Sequence, residues 1–207
     1  MMPAYIKNKI RRSSMKKKLY IGIVAEIGAG KDAVAKYLEV FYQARVLRSS
    51  DLLGEILRML KLDSKKRKNL QKLPIAIRNT FGAHTISKAM VHWMREQKNA
   101  NIVIWNGIRY PSDVEEFKKL PNSVLIGISA DLLKRFKWIK KRKEKSGEEK
   151  ITYAKFLEEA GQDTEKNVAK IIEKNATYVI QNNKTITSLY KKIAKIIEEE
   201  QARLNMN

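Results

Sequence analysis

The chain of 207 residues contains no cysteine, only 2 histidines and only 4 prolines. Without cysteine there is neither a disulfide framework nor a thiolate metal site, and so few histidines exclude a histidine-rich one. No apolar run approaches the roughly 20 residues that a membrane-spanning helix needs, and the N-terminal segment has no apolar stretch of the signal-peptide type. We therefore expect a soluble protein of a reducing, cytoplasmic compartment with no membrane partner.

Acidic residues are scarce relative to basic ones. The 22 Asp and Glu residues face 43 Lys and Arg residues, which gives a formal net charge of +21. Such a field attracts anions, but charge alone does not distinguish nucleotides from nucleic acids. Residues 1–18 show no clean hydrophobic period, so we expect a flexible basic tail that is capable of non-specific contact with nucleic acid. Nothing in the sequence specifies an oligomeric state.

Short apolar segments alternate with longer amphipathic stretches along the rest of the chain. Five of these segments are predicted as buried strands, at residues 19–25, 45–48, 102–105, 124–128 and 178–180. The alternation predicts an α/β fold in which helical crossovers join parallel strands. Ligands then bind where loops leave the carboxyl ends of the strands. We expect one domain over residues 19–207.

Two segments are longer or more basic than a simple crossover requires. The segment from about residue 50 to residue 100 separates the second and third strands, and its length predicts a helical insertion that covers a substrate. Residues of about 134–161 are strongly basic and predict a lid. In the shorter crossover after the third strand, Pro111, Ser112 and Glu115 predict a helix that begins near Ser112 with a capping box.

The most specific motif follows the first strand and precedes an amphipathic helix, as a P-loop does. Glycines at 28 and 30 let backbone amides face inwards, and the helix N-terminus favours anions, so the loop is predicted to hold nucleotide phosphates. Lys31 is predicted to reach the β and γ phosphates and to act in catalysis. The predicted nucleotide-binding residues are Glu26, Ile27, Gly28, Ala29, Gly30, Lys31, Asp32 and Ala33. The alternative is a glycine-containing strand-to-helix turn with an incidental lysine.

The loop departs from the usual pattern at both ends. Ala25 stands in place of the first glycine, so this position should adopt a conformation that alanine tolerates. Asp32 stands in place of a serine or threonine whose hydroxyl normally contacts magnesium. A carboxylate is also a hard oxygen ligand, but its charge repels the nucleotide when no metal is present. We therefore predict that Asp32 is a magnesium ligand and that ATP binding depends strictly on Mg²⁺.

Three arginines are candidates for contact with the transferred or acceptor phosphate. Arg109 follows the third strand, where a bidentate phosphate contact is possible. Arg135 and Arg142 lie about two turns apart on one predicted helix, hence on nearly the same face, at the entry to the basic lid. They are predicted to neutralise charge on the transferred group. For each arginine, a solvated surface side chain is the alternative.

Together these features resemble the nucleoside monophosphate kinase superfamily of P-loop enzymes. The Gly-Lys-Asp loop is similar to that of phage-type deoxynucleoside monophosphate kinases, and dephospho-CoA kinases are also similar. The resemblance implies a three-layer P-loop NTPase fold with a five-stranded parallel sheet, ATP and Mg²⁺ as cofactors, and a small phosphorylated acceptor. Its motifs place Ser50 and Asp51 beside the acceptor, Arg109 on the acceptor phosphate and Asn182 in the loop that contacts adenine.

Two positions differ from the pattern of that superfamily. Gly54 stands where an acceptor-binding arginine is expected, and Asn106 stands where an aspartate that organises magnesium is common. Arg78 or Arg58 in the insertion is the candidate for the missing phosphate contact, and Asp32 is the candidate for the missing carboxylate.

Three functions agree with these features. The first is phosphoryl transfer from magnesium ATP to a nucleoside or deoxynucleoside monophosphate, in which the loop and arginines stabilise charge. The second is the same chemistry on a 3′-hydroxyl acceptor such as dephospho-CoA. The third is a non-catalytic nucleotide-dependent switch or a nucleic-acid-associated module, which Asn106, Gly54 and the positive charge would suit.

Overall fold

The computed structural model describes residues 17–142 and 151–206, except for the side chains of Arg67 and Arg142. One parallel sheet has the order β2-β3-β1-β4-β5. Its strands are β1 (Leu19–Ala25), β2 (Arg45–Leu47), β3 (Ile102–Asn106), β4 (Ser123–Ser129) and β5 (Tyr178–Gln181). All five predicted strands are confirmed, as is the α/β class.

Helices cover both faces of the sheet. They are α1 (Lys31–Tyr42), α2 (Ser49–Met59), α3 (Arg67–Phe81), α4 (Thr85–Arg95), α5 (Pro111–Phe117), α6 (Leu132–Arg142), α7 (Tyr153–Ala160), α8 (Asp163–Asn175) and α9 (Ile186–Met206). One core contains α1 and α9 on one face, and the other contains residues of α2, α4, α5 and α8. Three layers result, because each face of a buried parallel sheet must be covered.

The central strand explains why the polar residues converge. β1 alternates its side chains between the two cores, with Ile21 and Ile23 in one and Tyr20 and Val24 in the other. Ile23 is in register with Asn106 of β3. All five strands run in the same direction, so their carboxyl ends meet at one edge. The loops after β1, β2, β3 and β5 therefore share that edge.

The start of α5 corrects one prediction. Its N-cap is Tyr110, Pro111 occupies the first turn, and Asp113 at the third position accepts hydrogen bonds from the backbone N–H groups of Tyr110 and Arg109, each at 3.1 Å. Ser112 therefore lies inside the helix and does not cap it. Proline is well suited to this place because its missing N–H would have no partner there.

The predicted insertion and lid are helical where the structure describes them. Helices α2, α3 and α4 occupy the insertion, and α6 and α7 occupy most of the lid. Residues 143–150 of the lid and residues 1–16 of the basic tail lie outside the described ranges. Lys18, the last residue of the predicted tail, donates from Nζ to the Gln97 carbonyl at 2.7 Å. Within the described ranges, no helix combines the length and apolar character required to cross a bilayer.

Candidate functional site

The loop between β1 and α1 is a tight turn that depends on two glycines. Gly28 and Gly30 have φ values of 79° and 107°, and Gly30 is the N-cap of α1. Ala25 is the last residue of β1 and is not among the described residues with positive φ, as the sequence predicted. The loop therefore delivers residues 26–32 to the N-terminus of a helix, where backbone N–H groups favour an anion.

The charged side chains of the loop contact one another. Lys31 Nζ donates to both carboxylate oxygens of Asp32, at 2.7 and 2.8 Å. Asn106 Nδ2 donates to Asp32 Oδ1 at 2.9 Å, so the end of β3 is joined to the loop. The structure thus brings together the residue that the sequence assigned to phosphate, the residue assigned to metal, and the asparagine that replaces the expected aspartate.

The ionisation of Asp32 follows from these contacts. Burial alone raises the pKa of the Asp32 carboxyl, but the Lys31 ammonium, the hydrogen bonds from Lys31 and Asn106, and the more distant Arg48 outweigh it. The net effect is a pKa below the ordinary value of 3.8. Asp32 is therefore an anion at neutral pH, which a role as a cation ligand requires.

Asp32 and Asn106 have the chemistry of a magnesium site. Asn106 is 4% exposed, and its Oδ1 has no hydrogen-bond partner within the described part of the chain. Because a buried carbonyl oxygen without a partner is costly, a ligand that supplies a donor or a cation there is favoured. Mg²⁺ takes oxygen ligands and is commonly held by one or two carboxylates together with substrate phosphates. The described residues contain no group of three or more His, Cys, Asp or Glu side chains suited to a metal, so water and nucleotide oxygens would supply the remaining ligands.

Arg135 contacts both the backbone and a side chain of the loop. Its Nε donates to the Ala130 carbonyl at 2.9 Å and its Nη1 donates to the Ile27 carbonyl at 3.2 Å, while Nη2 lies 3.4 Å from Glu26 Oε1. The residue is 7% exposed. In this conformation its guanidinium holds loop backbone, and its predicted action on a transferred phosphoryl group stays a prediction.

Asn182 and α6 close the loop on its other sides. Asn182 follows β5, and its Nδ2 donates to the Ala29 carbonyl at 2.9 Å, in a buried position. A Cβ on Gly28 would lie 2.8 Å from Ile139 Cδ1 of α6. The loop, the residue predicted near adenine and the first lid helix are therefore in contact. Arg142 ends α6, but its side chain lies outside the described part of the chain.

Arg109 is paired with a carboxylate that also contacts the loop. Its Nη1 donates to Glu165 Oε1 at 2.7 Å, and Glu165 Oε2 accepts from the backbone N–H of Ile27 at 2.9 Å. The Glu165 side chain is 8% exposed, whereas that of Arg109 is 39% exposed. Arg109 is thus partly exposed at the sheet edge, and one buried carboxylate joins it to the loop after β1.

Arg78 is held by the start of α5. Its Nη1 donates to the Ala83 carbonyl at 2.6 Å and to Ser112 Oγ at 3.0 Å, and its Nη2 donates to Asp113 Oδ1 at 3.0 Å. Its guanidinium also lies 4.0 Å from the centre of the Tyr110 ring. These contacts connect the insertion to the segment that presents Arg109. The predicted contact of Arg78 with an acceptor phosphate stays a prediction.

Ser50 and Asp51 lie in the exposed first turn of α2, directly after β2. They therefore share the sheet edge with the loop and Arg109. Their predicted contact with an acceptor stays a prediction. Asp51 Oδ2 lies 3.8 Å from Arg48 Nη1. The neighbouring Ser49 accepts at Oγ from Trp105 Nε1 at 3.0 Å, which fixes the start of α2 against β3.

Two carboxylates that pair with these arginines, Asp113 and Glu165, were not predicted from the sequence. Asp113 accepts from Arg78, from Ser87 Oγ at 2.6 Å and from two backbone amides. An acid at the third position of a helix whose first position is proline is a recognisable helix-start signal, and that signal identifies Asp113. Glu165 has no comparable signal, because acids in the first turn of a helix are common.

Sequence comparison finds relatives that match most of the chain. No protein-family model matches the chain. It is 28% identical over 190 residues to a UPF0200 protein of Methanocaldococcus jannaschii, with 87% of this chain and 90% of that protein covered. It is 25% identical over 178 residues to a UPF0200 protein of Sulfurisphaera tokodaii, with 86% and 95% covered.

Solved structures identify the fold. A gluconokinase from Sinorhizobium meliloti 1021 superposes with a TM-score of 0.58 at 10% identity, covering 94% of this chain and 95% of that one. A shikimate kinase from Acinetobacter baumannii, in complex with shikimate, gives a TM-score of 0.51 at 17% identity, with 88% and 94% covered. The chain therefore shares the α/β fold of these two kinases, a five-stranded parallel sheet with helices on both faces.

Proposed function

We propose that the chain is an ATP-dependent phosphotransferase that acts on a small acceptor at the carboxyl edge of its sheet. The observation that supports this most directly is the group of Lys31, Asp32 and Asn106 at the start of α1. A positively charged loop and helix N-terminus suit nucleotide phosphates, and the adjacent oxygens suit a metal ion. The P-loop kinase fold of the structural neighbours agrees with this assignment.

The proposed donor is ATP with Mg²⁺. When phosphates enter the loop, Lys31 exchanges its bond to Asp32 for one to the β and γ phosphates. Asp32 and Asn106 would then hold the metal ion, which neutralises charge on the phosphates. The loop amides and Asn182 keep the nucleotide in place, and Arg135 keeps the loop backbone in shape. Helix α6, which lies against Gly28, helps to exclude water from the transferred group.

For the acceptor, we propose a nucleoside or deoxynucleoside monophosphate first. Arg109 is accessible after the end of β3 and would bind the acceptor phosphate, with Ser50 and Asp51 after the neighbouring strand β2. Arg135 and Arg142 are proposed to act on the transferred group as the lid closes. Phosphoryl transfer of this kind depends on position and charge stabilisation, so no covalent nucleophile is required.

A hydroxyl acceptor is the second candidate, and two observations favour it. Arg78 is only 14% exposed and already paired with Asp113, and Gly54 leaves no cation in the first turns of α2 for an acceptor phosphate. The shikimate kinase and gluconokinase of the comparisons are named for acceptors of this kind. A 3′-hydroxyl acceptor such as dephospho-CoA belongs to the same class.

The test is coupled ADP release with magnesium ATP and a panel of acceptors. The panel contains nucleoside and deoxynucleoside monophosphates, dephospho-CoA, shikimate and gluconate. We expect one acceptor class to stimulate turnover, with the loss of that turnover in Lys31→Ala and its retention in Lys36→Ala, an exposed lysine of α1. Nucleotide binding without stimulation by any acceptor would favour the non-catalytic switch instead.

A further inference from the structure

Glu165 joins the two sides of the candidate site. It lies in the first turn of α8, which packs against β1 and β4. One of its carboxylate oxygens accepts from the loop amide of Ile27 at 2.9 Å, and the other accepts from Arg109 Nη1 at 2.7 Å. Ile27 belongs to the loop after β1, which is proposed to bind the phosphoryl donor. Arg109 follows β3 and is proposed to bind the acceptor.

These two partners are groups that bind phosphate oxygens. An inward backbone N–H of the loop and an arginine at the adjacent strand end are both donors to anions. In a kinase reaction the terminal phosphoryl group passes between the donor loop and the acceptor residues. The Glu165 carboxylate accepts one hydrogen bond from the loop and one from Arg109, and the terminal phosphoryl group would need the same two contacts.

We propose that Glu165 occupies the place of the terminal phosphoryl group and thereby sets how strongly the site prefers a nucleoside triphosphate to a diphosphate. This inference rests on the proposed function, because it assumes that nucleotide phosphates bind in the loop. ATP must displace Glu165 from Ile27 and Arg109, since two anions repel strongly when they share a buried site. ADP lacks the group that competes, so Glu165 keeps its contacts when ADP is bound.

Glu165→Gln isolates this effect because it removes the charge and keeps the shape. Calorimetric titration with magnesium ATP and magnesium ADP should show ATP bound roughly tenfold more tightly than in the wild type, with ADP affinity nearly unchanged. Glu173→Gln removes the same charge from an exposed position of α8 and should change neither affinity. A purely structural Glu165 would instead give a variant that binds both nucleotides less tightly.

A crystal structure of the wild-type protein with a non-hydrolysable ATP analogue provides a second measurement. We expect the Glu165 carboxylate to leave Arg109, so that the distance between Glu165 Oε1 and Arg109 Nη1 exceeds 2.7 Å. An analogue bound in the loop with both Glu165 contacts intact would overturn the inference but leave the proposed function standing. An equal ATP-to-ADP preference in wild type and Glu165→Gln would do the same. If neither nucleotide binds the wild type, both proposals are wrong.

Discussion

The proposed donor side of the site, at Lys31 and Asp32, and the proposed acceptor side, at Arg78 and Arg109, differ in how their charges are paired. On the donor side, Lys31 and Asp32 are neighbours in sequence, and their side chains are 26% and 36% exposed. On the acceptor side, Arg78 and Arg109 are paired with Asp113 and Glu165, whose side chains are only 4% and 8% exposed.

The Lys31–Asp32 pair is formed by neighbours in the sequence, whereas the pairs of Arg78 and Arg109 depend on how distant segments pack together. The donor pair can exchange partners when a ligand arrives, because both side chains reach solvent and are neighbours at the start of α1. The acceptor pairs connect α3, α5 and α8 to the sheet edge, so a change there disturbs several elements. We therefore expect donor-side substitutions to alter nucleotide chemistry, and substitutions of the buried acceptor-side acids to alter stability as well.

The largest expected effect on stability is that of Asp113→Ala. It leaves Arg78, Ser87 and two backbone amides without their acceptor in a buried place. We expect the free energy of unfolding in urea to fall by about 3–5 kcal/mol. Asp163→Ala removes an exposed acid that contacts Lys166 and should change the value by at most about 0.5 kcal/mol. Equal effects for the two variants would show that the acceptor-side network has no special weight.

Asp32→Asn should affect catalysis more than stability. The amide keeps the shape of the side chain but loses the charge that suits a cation. We expect turnover to fall by about a hundredfold and the magnesium concentration required for half-maximal rate to rise. Asp163→Asn, which removes the charge of an exposed acid that contacts Lys166, serves as the control variant. If the magnesium requirement is the same as in the wild type, Asp32 is not a metal ligand.

A pair of glycine substitutions tests the two sides through the backbone. Gly28→Ala places a methyl group 2.8 Å from Ile139 Cδ1 in a turn with φ of 79°, so we expect a loss of about 1–3 kcal/mol in unfolding free energy. Gly54 lies within α2, where an added Cβ has its nearest neighbour at 3.9 Å. Gly54→Ala should therefore stabilise the protein by about 0.5–1 kcal/mol, because alanine favours a helix. Thermal or urea unfolding of both variants measures the difference, and a stabilised Gly28→Ala would contradict the strained loop.

The smallest expected effect is a change in the pKa of the Asp32 carboxyl. Burial raises the pKa of Asp32, and Lys31 is the strongest of the influences that lower it below 3.8. Lys31→Met should therefore raise this pKa, which carbon NMR of the carboxyl group reports. In the wild type, the ionised carboxyl stabilises the folded state fully above the unfolded pKa. That contribution is lost as the pH falls through the lower folded pKa. An unchanged Asp32 titration in Lys31→Met would show that the Lys31 contact is weak in solution.

Most of the fold could be predicted because its signals are local. The five buried strands are short apolar runs, and the loop after β1 follows a known spacing, so both were visible in the sequence. The predicted helix near Ser112 is confirmed, since α5 begins at Pro111, but the capping box is formed by Tyr110 and Asp113 and not by Ser112 and Glu115. Here the alternative local signal was present in the sequence.

The acceptor side could not be predicted in the same way. Arg109 and Glu165 are separated by 56 residues, and Arg78 and Asp113 by 35. Nothing near either arginine in the sequence indicates which acid it will contact, since the pairing depends on how α5 and α8 pack on the sheet. The roles of Arg78, Arg109 and Arg135 towards a substrate accordingly stay predictions, whereas their contacts within the protein are defined.

Calorimetric titration of magnesium ATP into the wild type, Lys31→Ala and Lys36→Ala tests most directly whether the loop at residues 26–32 binds the nucleotide. We expect the wild type and Lys36→Ala to bind with similar affinity. Lys31→Ala should bind at least about a hundredfold more weakly, because it loses a phosphate contact and leaves the Asp32 charge without its lysine partner. Equal affinity in all three proteins would contradict nucleotide binding by this loop.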